Sequence, residues 1–237
     1  MGMVYTTRRE GCPLGEIETW IFDLDNTLYP ASCRLFDQVA ANMRRFICER
    51  MNVTPEQADT LRRQYFRDHG TTLRGLMIND GVDPHEFLSF VHEIDLACVP
   101  LDPALGVALT QLNGLKIVHT NGSVRHAERL LDHLGITSAF SGIIDIVAAE
   151  FDPKPALPGY NLLLARHGVD PKRALMVEDI ARNLEPAAQL GMTTAWVPTE
   201  ADWAMADSDR DYINHVVHDL AGFLADAAEL QDSGGAR

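Results

Sequence analysis

Trp20-Ile21-Phe22-Asp23-Leu24-Asp25-Asn26-Thr27-Leu28 is an apolar strand pattern that runs into two carboxylates. Because successive side chains of a strand point to opposite faces, Asp23 and Asp25 share a face and Leu24 turns into the core. Two carboxylates at the end of a buried strand repel each other unless a cation or a shared proton relieves them. The pair therefore suits a nucleophile, a proton-transferring neighbour and a hard divalent cation. An Asp-rich turn after a strand is the alternative interpretation.

Short apolar runs alternate with helical patterns in the second half of the chain. Together with a first strand over 17–23, this alternation predicts right-handed crossovers and a Rossmann-like, mostly parallel α/β sheet flanked by helices. The further strands are predicted over 115–120, 143–147, 174–177 and 193–197, and the helices between them over 123–134, 157–167 and 183–190.

Helical patterns fill the stretch between the first two strands. Apolar residues recur at helix spacing after Leu35, and Thr54-Pro55 and Asp83-Pro84 each combine a cap residue with proline, a usual helix start. The sequence predicts an α/β core over 1–30 and 100–237, with a helical insertion, or cap, over 31–99.

The 237 residues carry a formal charge of -14, from 34 acidic and 20 basic residues. This charge argues against a nucleic-acid polymer or an anionic membrane as a partner, although a small phosphate could still bind through a metal and backbone groups. The four cysteines show no short paired spacing, and neither a signal peptide nor a membrane span is recognisable. We expect a cytoplasmic protein, either a monomer or a homodimer.

Polar residues stand where the predicted strands end. Asp23 and Asp25 follow the first strand, Thr120-Asn121-Gly122 follows the second, and Glu178-Asp179 follows a later one, while Lys154 lies in a loop. Ligand sites of open α/β sheets form at the carboxyl ends of the strands, so these segments should converge.

Each of these segments also has an ordinary interpretation. Thr120-Asn121-Gly122 could bind a small anion at a helix N-terminus, or it could simply cap that helix. Lys154 could neutralise negative charge, or it could be a solvated surface lysine. Glu178-Asp179 could complete a magnesium site, or it could be a helix cap with a solvated neighbour.

Taken together, the motifs resemble the phosphatase branch of the haloacid dehalogenase superfamily. The resemblance rests on 23–28, Thr120-Asn121-Gly122, Lys154-Pro155 and Glu178-Asp179, whose order and spacing cover about 17–197. The helical insertion resembles the cap of that superfamily. Thr72-Leu73-Arg74-Gly75-Leu76, with Tyr29-Pro30, is similar to the pyrimidine 5′-nucleotidase subgroup.

The resemblance implies a magnesium-dependent phosphomonoester hydrolase acting on a small phosphorylated metabolite, such as a pyrimidine nucleoside 5′-monophosphate. Asp23 would form an aspartyl-phosphate, and Asp25 would protonate the leaving alcohol and then activate water. Mg²⁺ would be held by the Asp23 carboxylate, the Asp25 backbone carbonyl and Asp179, with Glu178 as a ligand or a neighbouring acid. Lys154 would stabilise Asp23 and the transferred group.

The resemblance also implies the groups that bind the substrate. The candidates for the phosphate oxygens are Asn26, Thr27, Thr120, Asn121 and Gly122. Arg74 of the cap is the candidate for a contact with the rest of the substrate, since a guanidinium can hydrogen-bond a base carbonyl or a second anion. The alternative interpretation is that Arg74 is an ordinary surface charge on a helix.

Other functions stay open at this stage. The dehalogenase branch lacks an acid two residues after the nucleophile, so Asp25 favours phosphatase chemistry. A sugar phosphomutase shares the core motifs, and a non-catalytic binding protein could retain the fold. His126 and His133 come with no clear further ligands, and we interpret them as surface or hydrogen-bonded histidines.

Overall fold

The computed structural model describes residues 4–199 and 207–234 and has a seven-stranded sheet at its centre. The strand order is β1-β7-β6-β5-β2-β3-β4, and every described strand pair is parallel except β1 with β7. The strands are β1 (Tyr5–Thr7), β2 (Thr19–Phe22), β3 (Leu115–His119), β4 (Gly142–Ile144), β5 (Ala174–Glu178), β6 (Thr193–Trp196) and β7 (His215–Val217). The predicted α/β fold is confirmed.

Helices cover both faces of this sheet and make up most of residues 31–99, the predicted cap. The helices are α1 (Leu35–Met51), α2 (Pro55–His69), α3 (Thr72–Asp80), α4 (Pro84–Val91), α5 (Pro103–Gln111), α6 (Val124–Leu134), α7 (Leu157–His167), α8 (Leu184–Gln189) and α9 (Leu220–Gly234). Among the described helices, none has both the length and the apolar character needed to cross a membrane.

Strand β2 lies in the middle of the sheet, between β3 and β5, and all four of its residues are buried. Its side chains alternate between two apolar clusters, one containing Phe22 and Leu24 and the other Ile21. Leu24 therefore turns into the core as predicted. The two carboxylates on either side of Leu24 are left on the other face.

The predicted strands differ from the observed ones at the edges of the sheet. The chain has an earlier strand, β1, which pairs with β7, and the sequence patterns indicate neither of these strands. The predicted strand over 143–147 ends instead at Ile144, because the carboxylate of Asp145 accepts hydrogen bonds from the backbone N–H groups of Val124 and Ala148. These bonds turn the chain away from the sheet.

Residues 31–99, all of them described, contain four α-helices and no strand. The start of α2 is fixed by a reciprocal cap, in which Thr54 accepts from the N–H of Gln57 and the Gln57 side chain accepts from the N–H of Thr54. Gly75 in α3 is required by packing, since a Cβ there would lie 2.3 Å from the Tyr65 side chain of α2. Part of the nucleotidase-like segment is thus explained by helix packing.

Candidate active site

The register of the sheet brings the predicted site residues together. Phe22 pairs with Val118 on one side and with Val177 on the other, so the residues that follow these three positions lie at the same end of the sheet. Asp23, His119-Thr120 and Glu178-Asp179 are therefore neighbours, and all five are buried. The strand order changes direction at β2, which has β3 on one side and β5 on the other. Such a point is where α/β proteins form ligand sites.

Lys154 reaches this edge from the loop after β4. Its Nζ donates to Asp23 Oδ1 at 2.6 Å, to Glu178 Oε2 at 2.7 Å and to the carbonyl of His119 at 2.8 Å, with the side chain 1% exposed. Burial works to lower the pKa of Lys154, but Asp23 and Glu178 outweigh it and raise the pKa above the usual lysine value. Lys154 is thus a buried cation and not a solvated surface lysine.

Asp23 has a hydrogen-bond donor on each carboxylate oxygen. Lys154 binds Oδ1, and the hydroxyl of Thr27 donates to Oδ2 at 3.2 Å. Burial and then the nearby charge of Glu178 raise the pKa of Asp23 to about 7, although Lys154 opposes them. The carboxylate form of Asp23 thus depends on positive charge in this site.

The two acids at the end of β5 have different surroundings. Glu178 accepts from Lys154, from the N–H of Ile180 and from the amide of Asn183, so both of its oxygens are engaged. Asp179 Oδ2 is buried, and residues 4–199 and 207–234 provide no hydrogen-bond partner for it. Burial, with the charges of Glu178 and Asp23, raises the pKa of Asp179 well above its usual value.

Asp23, Glu178 and Asp179 can together hold a cation. One carboxylate oxygen from each lies within 4.8 Å of the others. All the donors are oxygens, which suits Mg²⁺ better than a softer metal. The Asp179 oxygen that has no hydrogen-bond partner is the atom that most needs a nearby cation. The residues present therefore fit the expected ion.

Asp25 is held by two side chains that both bind its Oδ1. The hydroxyl of Tyr29 lies 2.6 Å away and Nε2 of His126 lies 2.9 Å away. Burial works to raise the pKa of Asp25, but His126 and Tyr29 outweigh it and lower the pKa to about 2. Asp25 is therefore a carboxylate in the free protein at neutral pH.

The place of His126 in this site was not predicted from the sequence. We expected a surface or hydrogen-bonded histidine, and the side chain is 1% exposed and bonded to a predicted catalytic acid. The available signal was its position three residues after Ser123, which caps α6. The first turn of that helix lies at the strand ends, so a side chain there can reach the site.

The phosphate-binding candidates are placed in different ways. Thr120 is buried, and its Oγ1 accepts from the N–H of Gly122 at 2.9 Å. The Asn121 side chain is bonded to the backbone N–H and carbonyl of Lys154, so it ties two loops together. Asn26 is buried in the left-handed conformation, with φ 62°, which turns the chain after Asp25. A role for these groups toward phosphate stays a prediction.

Arg74 stands at the boundary between cap and core. Its guanidinium forms an ion pair with Asp152 and donates to the carbonyl of Phe151 at 3.3 Å. Both of these partners belong to the loop that carries Lys154. Arg74 therefore connects cap helix α3 to the active-site loop, and its side chain is still 35% exposed.

A crevice of about 540 Å³ separates cap helix α4 from the start of α6. His92 and His126 line it, together with Ser89, Ser123 and Arg129. His126 therefore both lines this crevice and contacts Asp25.

Comparison with known proteins identifies the family. The model of the haloacid dehalogenase-like hydrolases matches residues 17–191, which is most of the chain and includes every motif described above. The chain belongs to this family. The match agrees with the resemblance drawn from the sequence motifs, and it leaves the nucleotidase subgroup untested.

Two curated relatives of this hydrolase are named for phosphate chemistry. Phosphate metabolism protein 8 of Saccharomyces cerevisiae is 25% identical over 194 residues, which are 74% of this chain and 60% of that protein. Enolase-phosphatase E1 of Thioalkalivibrio sulfidiphilus is 31% identical over 156 residues, 63% of this chain and 62% of that protein. The chain thus spans about three fifths of the length of these relatives.

Solved structures show the same fold. The L-2-haloacid dehalogenase of Xanthobacter autotrophicus superposes with a TM-score of 0.56 and 19% identity, covering 92% of this chain and 99% of that one. At this identity the likeness concerns the fold, and the chemistry has to be argued from the site.

Proposed function

We propose that this hydrolase is a magnesium-dependent phosphomonoesterase that works through an aspartyl-phosphate on a small phosphorylated metabolite. The observation that carries the proposal is the contact of Asp23 with the buried cation of Lys154, beside a second carboxyl, Asp25, that has its own donors. Haloacid hydrolysis needs the first carboxylate but not the second. Asp25 therefore favours phosphoryl transfer over dehalogenation.

In the first step, an oxygen of Asp23 attacks the substrate phosphorus. The bond between this oxygen and phosphorus forms, and the bond between phosphorus and the leaving oxygen breaks. Asp25 gives its proton to the leaving oxygen. The negative charge of the bound phosphate raises the pKa of Asp25 from its low resting value, since a like charge disfavours the carboxylate.

In the second step, water attacks the phosphorus of the aspartyl-phosphate. Asp25, now a carboxylate, accepts a proton from the water, and the bond between phosphorus and Asp23 breaks to release inorganic phosphate. Lys154 stays bonded to Asp23 Oδ1 and offsets the charge on the nucleophile and on the transferred group. Positioning and charge neutralisation account for most of the catalysis in phosphoryl transfer.

Mg²⁺ is the cofactor that the site supports. Asp23 and Asp179 would hold it through their carboxylates, and Glu178 would keep Lys154 and the turn after β5 in place through the three hydrogen bonds it accepts. When bound, Mg²⁺ offsets the charge of the carboxylates and of the phosphoryl oxygens.

A pyrimidine nucleoside 5′-monophosphate is the substrate we infer, from the likeness of 72–76 and Tyr29-Pro30 to pyrimidine 5′-nucleotidases. Tyr29 supports the likeness because it donates to Asp25 and so belongs to the catalytic centre. Arg74 supports it because a partly exposed guanidinium stands beside the loop of Lys154.

The test is phosphate release from nucleotides, sugar phosphates and pyridoxal phosphate, with Mg²⁺ and with EDTA. We expect Mg²⁺-dependent release led by UMP or CMP, and no release by a folded Asp23→Asn variant. If a sugar phosphate or pyridoxal phosphate is hydrolysed fastest, that compound replaces the nucleotide as the inferred substrate. An isomerised sugar phosphate would indicate a mutase. Chloride release from 2-chloropropionate without any phosphate release would overturn the proposal.

A further inference from the structure

His126 connects the predicted acid–base residue with the cap. Its Nε2 lies 2.9 Å from Asp25 Oδ1, and Tyr29 binds the same oxygen at 2.6 Å. The other oxygen, Oδ2, receives no hydrogen bond from residues 4–199 or 207–234 and lies 3.8 Å from where a Cβ would stand at Gly122. Both donors therefore hold one oxygen and leave the second free to face the site.

The ring of His126 is itself fixed by the cap. His92, which follows α4, stacks on it with ring centroids 4.2 Å apart and an angle of 8° between the planes. Nδ1 of His92 is 3.0 Å from the hydroxyl of Ser123, the residue that caps α6. Burial, followed by the charge of His126, lowers the pKa of His92 to about 3, so His92 packs as a neutral ring.

The backbone holds His126 from the other side. The His126 N–H donates to Ser123 Oγ, and the ring lies against the position of Gly122, where an added Cβ would come within 3.1 Å of His126 Cδ2. The imidazole therefore has little freedom to turn. A hydrogen bond from so constrained a ring fixes the direction of the carboxyl group that accepts it.

We propose that His126, whose ring is held by the stacked ring of His92, is a positioning residue that aims the Asp25 carboxyl at the leaving oxygen. The inference rests on the proposed phosphomonoesterase activity. His126 acts through Asp25, so neither histidine needs to touch the substrate. The alternative is that His126 is a buried histidine that only forms a hydrogen bond and packs against its neighbours.

Leaving-group dependence separates the two roles. A poor leaving group such as phenoxide needs the proton of Asp25, whereas p-nitrophenoxide leaves without it. The value of kcat/KM reports the steps up to the release of the leaving group and excludes later hydrolysis of the intermediate. A lost positioning function therefore reduces kcat/KM more for phenyl phosphate than for p-nitrophenyl phosphate, and a mere loss of stability reduces both equally.

The experiment compares three variants in Mg²⁺ buffer on a series of substituted phenyl phosphates. His126→Phe keeps a stacking ring but removes the donor, and His126→Gln restores an N–H group at a similar reach. His133→Phe is the matched control, because His133 lies on the same helix and its Nε2 bonds to the carbonyl of Val99 and not to Asp25. Thermal unfolding of each variant shows that it is folded.

We expect His126→Phe to lower kcat/KM about 100-fold for phenyl phosphate and less than about 10-fold for p-nitrophenyl phosphate, the range of a general-acid contribution. His126→Gln should recover most of the loss, and His133→Phe should leave the ratio unchanged. Equal losses on both substrates, or a Gln variant no better than Phe, would overturn the inference alone. An inactive wild-type protein would overturn the proposed function and the inference with it.

Discussion

Replacing Lys154 with methionine tests the electrostatics of the site. The ammonium group of Lys154 is the buried cation that contacts Asp23 and Glu178, at 2.6 and 2.7 Å. Methionine has nearly the same length and no charge. Lys154→Met therefore removes the ammonium group and leaves the three carboxylates of Asp23, Glu178 and Asp179 close together without it. Both catalysis and folding should suffer.

The size of the folding defect follows from the burial of the pair. Removing one partner of a buried ion pair costs about 3–5 kcal/mol, because the other charge is left uncompensated. For a chain of this size, about 1 kcal/mol corresponds to about 2–4 °C in Tm, so the expected fall is about 6–20 °C. Turnover should fall to the background rate.

The assay is urea unfolding in EDTA at several pH values, with Lys116→Met as the matched control. Lys116 is also buried, but its Nζ donates to the carbonyls of Leu112 and Gly114 and, among the described residues, to no carboxylate. Its loss should cost less than about 2 kcal/mol, since no charge is left unpaired. Mg²⁺ should restore more stability to Lys154→Met than to Lys116→Met.

The pH dependence has a definite sign. In the wild-type protein, Lys154 opposes the burial that raises the pKa of Asp23 to about 7, so Lys154→Met should raise this pKa further, and above about pH 7 the folded variant should bind more protons than the folded wild type. The defect should therefore be smallest at pH 5 and should grow toward pH 8. Equal defects for Lys154→Met and Lys116→Met at pH 8 would show that the ammonium group of Lys154 does not neutralise these carboxylates.

Three further predictions concern the metal and the cap. Mg²⁺ should raise Tm more at pH 8 than at pH 6, because burial raises the pKa of Asp23 to about 7 and the cation must displace a proton below that pH; a larger shift at pH 6 would contradict this. Gly75→Ala should lower stability by about 1–3 kcal/mol, since its Cβ would meet the Tyr65 ring. Gly106→Ala, whose Cβ would lie 3.7 Å from its nearest neighbour, should be neutral or stabilising in the same unfolding assay. Arg74→Ala should raise KM for the natural substrate and spare small aryl phosphates in steady-state kinetics, whereas equal losses would assign Arg74 to its ion pair with Asp152 alone.

The sequence predicted those parts of the molecule that depend on local patterns. The alternation of apolar runs and helix signals indicated the parallel sheet, and the period of the strand placed Asp23 and Asp25 on one face. Strand-end positions then indicated that Lys154 and Asp179 would converge on them. In the structure, Asp179 lies beside Asp23 because β2 pairs with β5, and Lys154 reaches Asp23 from the loop after β4, which pairs with β3.

The parts that sequence reasoning missed depend on contacts between distant segments. Strands β1 and β7 have three residues each, and their pairing joins positions about 210 residues apart, which no short pattern can indicate. The bond between His126 and Asp25 spans 101 residues. The sequence motif indicates a phosphate contact for the amide of Asn121. In the structure, this side chain accepts a hydrogen bond from the backbone N–H of Lys154.

If Asp23 is the nucleophile, it becomes phosphorylated during turnover, and this intermediate can be trapped. An Asp25→Asn variant with p-nitrophenyl phosphate and Mg²⁺ should form the intermediate without needing an acid and hydrolyse it slowly for want of a base. After an acid quench, mass spectrometry should find one phosphoryl group on the peptide that contains Asp23, and none when Asp23→Asn is added to the variant. A phosphoryl group on another residue, or p-nitrophenol release with Asp23 never modified, would contradict the account.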